Sequence, residues 1–258
     1  MPFTFSHPAI VLPLEKKWNK YFSFTALILG SMSPDFEYFI RFKPMATIGH
    51  GLIGFFLYNL PLCFILAYLF HKIIKKPLIA HMPKPIDSWY YNTALKPWRI
   101  NSLTQVLVFS YSAIIGMITH VLWDSFTHKG GKFVILFEGL RKNIEILNYD
   151  IPVYKTLQHG STLLGVVFII LYIYSKRNKH INWKTINRIP AINNKEKVSY
   201  FTTIFCTGLI VLFVYIFLLN ASFSIKNAGS FVVTFINGLF IGTIITSINV
   251  GEILKYFL

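Results

Sequence analysis

The chain has few charged residues, and few of those are acidic. Of its 258 residues, 14% are charged; 10 are Asp or Glu, against 25 Lys or Arg. Soluble domains average about 25% charged residues, so this deficit argues against one or two water-soluble domains. With 54% hydrophobic residues and a mean hydropathy of +0.53, the composition is that of an integral membrane protein.

Cysteine and familiar catalytic motifs are also scarce. Cys63 and Cys206 each lie within an apolar run, so each is expected to be a buried small hydrophobic residue and not half of a disulfide. The sequence contains no Gly-x-x-x-x-Gly-Lys phosphate loop, no His-Glu-x-x-His motif and no serine-nucleophile elbow. Sequence motifs therefore support neither nucleotide binding nor a serine hydrolase.

The formal net charge of +15 has two interpretations. Nucleic-acid binding is the weaker one, because the Lys and Arg residues lie between apolar segments and not on an amphipathic domain. The stronger one is membrane topology, in which positive charge is retained on the cytoplasmic side and attracts anionic lipid. We therefore expect membrane lipid as a partner and no nucleic acid; the oligomeric state is not readable from the sequence.

Four apolar runs are long enough to predict membrane-spanning helices, since a span takes about 20 residues. They cover residues 51–70, 103–123, 200–219 and 231–254. A fifth run, 161–174, is shorter, but residues 159–175 can span a slightly thinned bilayer.

The first fifty residues predict a helical hairpin, because residues 8–18 and 21–32 are two short apolar arms and the second stops at Ser33-Pro34. The predicted fold class is all-α, a polytopic membrane helical bundle of about five transmembrane helices plus this N-terminal helical hairpin. Residues 1–175 would form a metal-site helical core, 176–198 a basic cytoplasmic loop and 199–258 two additional helices, within one integral membrane domain. The prolines of residues 72–102 predict an irregular connection there.

The distribution of Lys and Arg predicts the orientation. One side comprises the hairpin tip, residues 72–102, residues 176–198 and Lys255, and carries 17 of them; the other carries 8. The bias places the first side in the cytoplasm. The second side, which bears most of the ionisable candidates described next, would then face the periplasm or exterior.

His120 and Asp124 are the central candidates for a metal site. Four residues apart, they lie on one face of a predicted helix, and His128 follows after another four. Imidazole nitrogens and carboxylate oxygens are standard zinc ligands. A single His in an apolar helix is more often a hydrogen-bonded core residue, but Asp35 and His50 fall on the same predicted side. Ionisable residues at membrane depth are costly and tend to be functional.

Other candidates have competing interpretations. Asp35 and His7 can each be a helix cap or turn residue. Glu37 can be a ligand, a general base or an exposed charge. His159 begins an apolar helix, where an anion such as a phosphoryl group is favoured, but it can also be an interfacial side chain.

Two N-terminal blocks and two later ones resemble a known family. They are Met1-Pro2-Phe3-Thr4-Phe5-Ser6-His7-Pro8-Ala9, Gly30-Ser31-Met32-Ser33-Pro34-Asp35-Phe36-Glu37-Tyr38, the stretch from His120 to His128, and Leu157-Gln158-His159-Gly160-Ser161-Thr162. They resemble the bacterial membrane family called domain of unknown function 4184, and more distantly the YdjM-type inner-membrane metal-dependent hydrolases and zinc-dependent phospholipase C.

The resemblance implies a location in a bacterial inner membrane and a metal site. His7, Asp35, His120 and Asp124 match positions that gather around metal in those hydrolases, and His50 matches a reduced block, Gly49-His50-Gly51.

We therefore expect Zn²⁺, or another divalent metal, held by ligands drawn from the five residues His7, Asp35, His50, His120 and Asp124. Catalytic or substrate-contacting roles are expected for Glu37, His128 and His159. The expected function is hydrolysis of a phosphoester or lipid-derived substrate. The alternative is a non-enzymatic transporter or assembly factor in which the His/Asp cluster is structural.

Overall fold

The computed structural model describes residues 3–18, 20–178, 192–218, 224 and 227–254, without the side chains of 16–18 and 252–254. Most of the predicted basic loop 176–198, together with Lys226 and Lys255, lies outside this range. The α-helices are α1 (Leu12–Trp18), α2 (Phe24–Met32), α3 (Phe36–Arg41), α4 (Leu52–Gly54), α5 (Leu60–Leu69), α6 (Lys75–His81), α7 (Ile86–Leu95), α8 (Leu103–Thr127), α9 (Lys132–Leu136), α10 (Glu138–Arg141), α11 (Val153–Ser175), α12 (Asn194–Leu218) and α13 (Ala228–Leu254).

The remaining regular structure is short. Thr4–Ile10 and Ser33–Asp35 are 3₁₀ helices, and π-helical turns at Phe55–Asn59 and Phe70–Ile74 connect α4, α5 and α6 into one continuous helix. Strands β1 (Asn143–Ile146) and β2 (Tyr149–Pro152) form an antiparallel hairpin.

Five helices in the described part of the chain are long and apolar enough to cross a membrane, which confirms the predicted all-α membrane fold. Each of the five helices overlaps one of the predicted apolar runs. They are Leu52–His81, Leu103–Leu136, Val153–Ser175, Asn194–Leu218 and Ala228–Gly251.

The prediction of an irregular connection over residues 72–102 was wrong. The first span continues to His81, and α7 follows at Ile86–Leu95. Pro77 lies three residues after the π-helical turn Phe70–Ile74 of this continuous helix, and such turns are among the irregularities by which a helix bends around a proline. Pro83 and Pro85 fall between α6 and α7. The prolines therefore mark one helix boundary and do not remove helix from the whole segment.

The chain divides into two compact units. The first contains residues 1–36, 46–64 and 100–176; the second contains residues 37–45, 65–99 and 177–258. The domain boundaries predicted at residues 175 and 198 stay predictions.

In the first unit, α2 packs against α8 at backbone distance. A Cβ atom on Gly30 would lie 2.1 Å from the carbonyl oxygen of Ala113, and one on Gly116 would lie 2.5 Å from that of Leu27. Close backbone approach through small residues is characteristic of helix pairs in membranes. The contact holds the end of α2, and the 3₁₀ helix that follows it, beside the second half of α8.

The N-terminal arm also packs within the first unit. A Cβ atom on Gly165 of α11 would lie 3.0 Å from the carbonyl oxygen of Ser6. At the other end of the arm, Glu15 accepts hydrogen bonds from Tyr172 and Lys176 of α11. These contacts hold the segment that carries His7 against the helical core.

The second unit contains a buried ion pair. Lys197 of α12 donates to the carboxylate of Asp87 of α7 and, at 2.7 Å, to the carbonyl oxygen of Met82. The side chains are 8% and 11% exposed, respectively. Through these two hydrogen bonds, Lys197 joins the start of the fourth span to α7 and to the segment just after α6.

Replacing Lys197 by Met is expected to destabilise the protein by about 3 kcal/mol or more, because a buried carboxylate then loses its counterion. Thermal unfolding of the full chain in detergent measures the effect. Lys195→Met is the matched control, since Lys195 lies on the same helix turn and is exposed. Equal melting temperatures for the two variants would contradict the importance of the pair.

Candidate metal centre

Four side chains converge in the first unit. Asp35 ends the 3₁₀ helix after α2, His50 lies just before α4, and His120 and Asp124 lie one turn apart near the end of α8. One ligand atom from each residue lies within 4.8 Å of the others. These four residues can hold a metal ion.

The distances between the converging atoms fit a four-coordinate ion. His120 Nε2 lies 3.3 Å from Asp124 Oδ2 and 3.6 Å from Asp35 Oδ1. His50 Nε2 lies 3.6 Å from Asp124 Oδ2 and 3.7 Å from Asp35 Oδ1. Ligands bound at 2.0–2.2 Å at the corners of a tetrahedron are separated by about 3.3–3.6 Å. The histidine nitrogens and the carboxylate oxygens are therefore close enough to one another to share one metal ion.

Several of these buried atoms have no hydrogen-bond partner among the described residues. They include His120 Nε2 and Asp35 Oδ1 of the converging set, and the adjacent His7 Nε2 and Asp124 Oδ1. A buried polar atom without a partner costs about 1–3 kcal/mol, and a charged one more. Two buried carboxylates in one cluster would also repel each other. A divalent cation between these residues would satisfy the atoms and neutralise the two carboxylates.

The orientation of His120 is set by the backbone of α2. Its Nδ1 lies 2.7 Å from the carbonyl oxygen of Ser31. Because a carbonyl only accepts, Nδ1 carries the proton of this hydrogen bond. In the neutral imidazole, the lone pair is then on Nε2, which faces the two carboxylates. This is the usual support for a metal-binding histidine.

Asp35 is oriented in a similar way. The Thr4 hydroxyl donates to Oδ2 at 2.7 Å, which leaves Oδ1 facing His50 and His120. Burial by itself would raise the pKa of Asp35, but the hydrogen bond and positive charge that His120 offers when it is protonated, together with the Thr4 hydroxyl, outweigh it and hold the pKa below its ordinary value in the metal-free site. Asp35 is therefore ionised at neutral pH, as a metal ligand must be.

His7 lies at the other oxygen of Asp124. Its Nε2 is 3.6 Å from Asp124 Oδ1, and its ring stacks on His120 with a centroid separation of 3.8 Å. Burial, and then the neighbouring His120, lower the pKa of His7 to about 3, so the imidazole is neutral. The structure thus brings His7 beside the four-residue group, and its role as a fifth ligand stays a prediction.

His128 lies on the exposed edge of the site. Its Nδ1 is 3.4 Å from Asp124 Oδ1 and its Nε2 is 3.4 Å from the side-chain nitrogen of Gln158. The side chains of His50 and His128 are 32% and 30% exposed, while those of Asp35 and His120 are buried. The site is therefore closed toward the helices and open along the edge formed by His50 and His128.

The comparison with protein families places the chain. A model described as a domain of unknown function (DUF4184) matches residues 1–248. The chain belongs to this family. No curated protein and no solved structure matches it, and the more distant similarity to YdjM-type hydrolases and phospholipase C stays a prediction.

Two predicted site residues of this DUF4184 chain lie apart from the converging group. Glu37 accepts hydrogen bonds from Arg41 in its own helix, at 2.7 Å from both Nε and Nη2. His159 is exposed on α11, one residue after Gln158. Catalytic roles for Glu37 and His159 stay predictions, and the predicted metal ligands Asp35, His50, His120 and Asp124 form the geometric centre of the site.

Sequence reasoning missed three groups that support this site of the DUF4184 chain. Thr4 is three residues before His7 on the same short helix, and this spacing could have indicated that the two side chains lie near the same site. Gln158 lies beside His128, but in the sequence its neighbour His159 was the more evident candidate. The carbonyl of Ser31 had no side-chain signal, because any residue at that position supplies the same backbone oxygen.

Proposed function

We propose that the four-residue group binds zinc and that the chain is a membrane-embedded hydrolase of a lipid-derived phosphoester. One observation carries the proposal. Two imidazole nitrogens and two carboxylate oxygens meet at ligand spacing, and two of these atoms are buried without a hydrogen-bond partner among the described residues. A structural polar cluster would be expected to pair these atoms with each other or with backbone.

The ligand types and their spacing favour zinc. Calcium takes six to eight oxygen ligands, and magnesium prefers an octahedral shell of oxygen and water. Two imidazoles and two carboxylates at tetrahedral separations suit zinc better. The exposed edge at His50 leaves room for a substrate or water, as in catalytic zinc sites.

The surroundings of the open edge favour a substrate with an apolar part. Leu52 and Ile53 follow His50 at the start of the first span, and both are mostly exposed. In a membrane these side chains would contact acyl chains. A lipid whose headgroup reaches His50 could therefore keep its acyl chains in the bilayer.

The chemistry divides between the ion and the side chains. When bound, zinc supplies a Lewis acid that polarises a phosphoryl oxygen and makes water more acidic. Ser31 and Thr4 keep His120 and Asp35 in their binding orientations. We assign the role of general acid toward the leaving oxygen of the phosphoester to His128, which lies at the exposed edge.

The location of the reaction follows from the distribution of basic residues. The side of the chain that bears the site carries 8 of the 25 Lys and Arg residues. The positive-inside rule then places the other side in the cytoplasm of a bacterial inner membrane and the site on the periplasmic or exterior face.

Hydrolysis assays with three variants test the proposal. Purified wild-type chain in detergent is expected to hydrolyse bis(p-nitrophenyl) phosphate or short-chain phosphatidylcholine. His120→Ala is expected to lose both metal and activity. His128→Asn is expected to keep its metal and lose about 10²-fold in turnover, the usual contribution of a general acid. His159→Asn tests the remaining sequence prediction in the same assay.

A metal-loaded wild-type chain that hydrolyses none of these phosphoesters would contradict the hydrolase and favour the non-enzymatic alternative. If His128→Asn loses its metal, His128 supports the metal site, and its assignment as general acid is contradicted.

A further inference from the structure

The β-hairpin between the second and third spans has two different faces. Paired residues of an antiparallel hairpin lie on the same face, and alternate pairs lie on opposite faces. The pairs Ile144–Ile151 and Ile146–Tyr149 therefore make one apolar face. The pair Glu145–Asp150 lies on the other face, which is acidic.

The tip of the hairpin is unusual for a surface turn in water. Leu147 and Asn148 form the two-residue turn with φ angles of 51° and 65°. Asn tolerates this left-handed conformation, whereas Leu adopts it rarely. Leu147 is also 87% exposed, and Tyr149 beside it is 72% exposed. Leu147 therefore combines an uncommon backbone conformation with an apolar side chain that the first unit leaves largely uncovered.

The position of the hairpin indicates the environment of Leu147. The segment connects the span Leu103–Leu136 to the span Val153–Ser175, and the backbone N–H of Val153 donates to the carbonyl of Lys142 at the base of the hairpin. The hairpin therefore lies where two membrane helices reach the membrane surface. Ile135 and Leu136, at the end of the second span, are exposed apolar side chains as well.

The charges are arranged to suit a lipid surface. Arg141 and Lys142 lie immediately before β1 and are exposed, where they can contact lipid phosphates. Glu145 and Asp150 lie on the opposite face from the isoleucines, so that they can remain in water while the apolar face is buried.

We propose that the apolar face of this hairpin, with Leu147 at its tip, docks into the lipid headgroup region on the membrane face that bears the metal site. The headgroup region supplies apolar contact for Leu147 and Tyr149 and still lets water or headgroups bind the open edges of both strands. An unpaired strand edge would be excluded from the hydrocarbon core itself. The proposal goes beyond the proposed function, since it requires neither metal nor hydrolysis.

Spin labels on the full-length chain in phospholipid nanodiscs test the docking. The background is Cys206→Ser, because Cys63 is buried as predicted, whereas Cys206 is exposed and its predicted burial was wrong. Labels are attached at Leu147→Cys and, as the matched control on the other face, at Glu145→Cys. The Leu147 label is expected to collide several-fold more with oxygen than with a water-soluble nickel chelate, and the Glu145 label is expected to show the reverse preference.

A second position keeps the test decisive. Tyr149 is paired with Ile146 on the apolar face and lies outside the turn. A label at Tyr149→Cys therefore leaves the turn residues unchanged, and it is expected to show the same preference for oxygen as the label at Leu147→Cys. Preferential nickel collisions at both Leu147 and Tyr149 would overturn the proposal. Protection of both labels from oxygen and nickel would also overturn it, because the face would then be covered by a second copy or another protein. Metal content, measured on the same samples, reports separately on the metal site.

Discussion

Removing the bound metal with a chelator is expected to lower the melting temperature of the wild-type chain by roughly 10 °C. A ligand at about 1,000 times its Kd stabilises the folded state by about 4 kcal/mol, and 1 kcal/mol shifts the melting temperature of a protein of this size by about 2–4 °C. The effect is large because Asp35 and Asp124, whose side chains are 2% and 14% exposed, would be left as neighbouring carboxylates without a cation. Differential scanning fluorimetry of the purified chain in detergent measures the shift.

His120→Ala is the control for this experiment. The variant lacks one of the four converging ligands, so its melting temperature is expected to be lower than that of the wild type and unchanged by chelator. Re-addition of zinc is expected to restore the wild-type chain only. An equal chelator response in both proteins would place the metal elsewhere and contradict the site.

Replacing Gly30 by Ala is expected to destabilise the protein by about 3 kcal/mol and to remove most of its metal. The new Cβ atom would lie 2.1 Å from the carbonyl oxygen of Ala113, so α2 and α8 would have to separate, and overpacking of this kind costs about 1–3 kcal/mol or more. The separation would displace Ser31 and Asp35 from His120. Thermal unfolding and elemental analysis of the same preparation measure both effects.

Gly160→Ala provides a matched comparison. Gly160 lies within α11, and a Cβ atom there would meet nothing within 4 Å. Alanine is favoured over glycine in a helix by about 1 kcal/mol, so this variant is expected to be at least as stable as the wild type and to keep its metal. Similar melting temperatures for the Gly30 and Gly160 variants would contradict the close α2–α8 packing.

The membrane helices were predictable because long apolar runs have few alternatives to spanning. The runs at 103–123 and 161–174 gave the positions of α8 and α11, although the helices extend beyond them into polar sequence. The segment 72–102 was mispredicted, since four prolines suggested a loop while Pro77 falls in a helical turn that accommodates it. Whether this segment is helical therefore depends on where each proline lies relative to the helix turns, and not on how many prolines it contains.

The core of the candidate site was predictable where local spacing determines geometry. His120 and Asp124 share a helical face by their separation of four residues, and the structure places them together. Asp35 and His50 reach the same point through the packing of α2 against α8 and through the loop before α4. A single sequence does not encode that convergence in a local pattern. The resemblance to known metal sites supplied the missing information for Asp35 and only part of it for His50.

Elemental analysis of purified chain tests the central claim most directly. Wild-type protein, prepared without chelator or reloaded with zinc and desalted, is predicted to contain about one zinc ion per chain. The double variant His120→Ala, Asp124→Ala is predicted to contain almost none, while Gly160→Ala contains as much as the wild type. Equal metal in the wild type and the double variant, or a wild type that takes up no metal, would contradict the assignment of the four-residue group as a metal site.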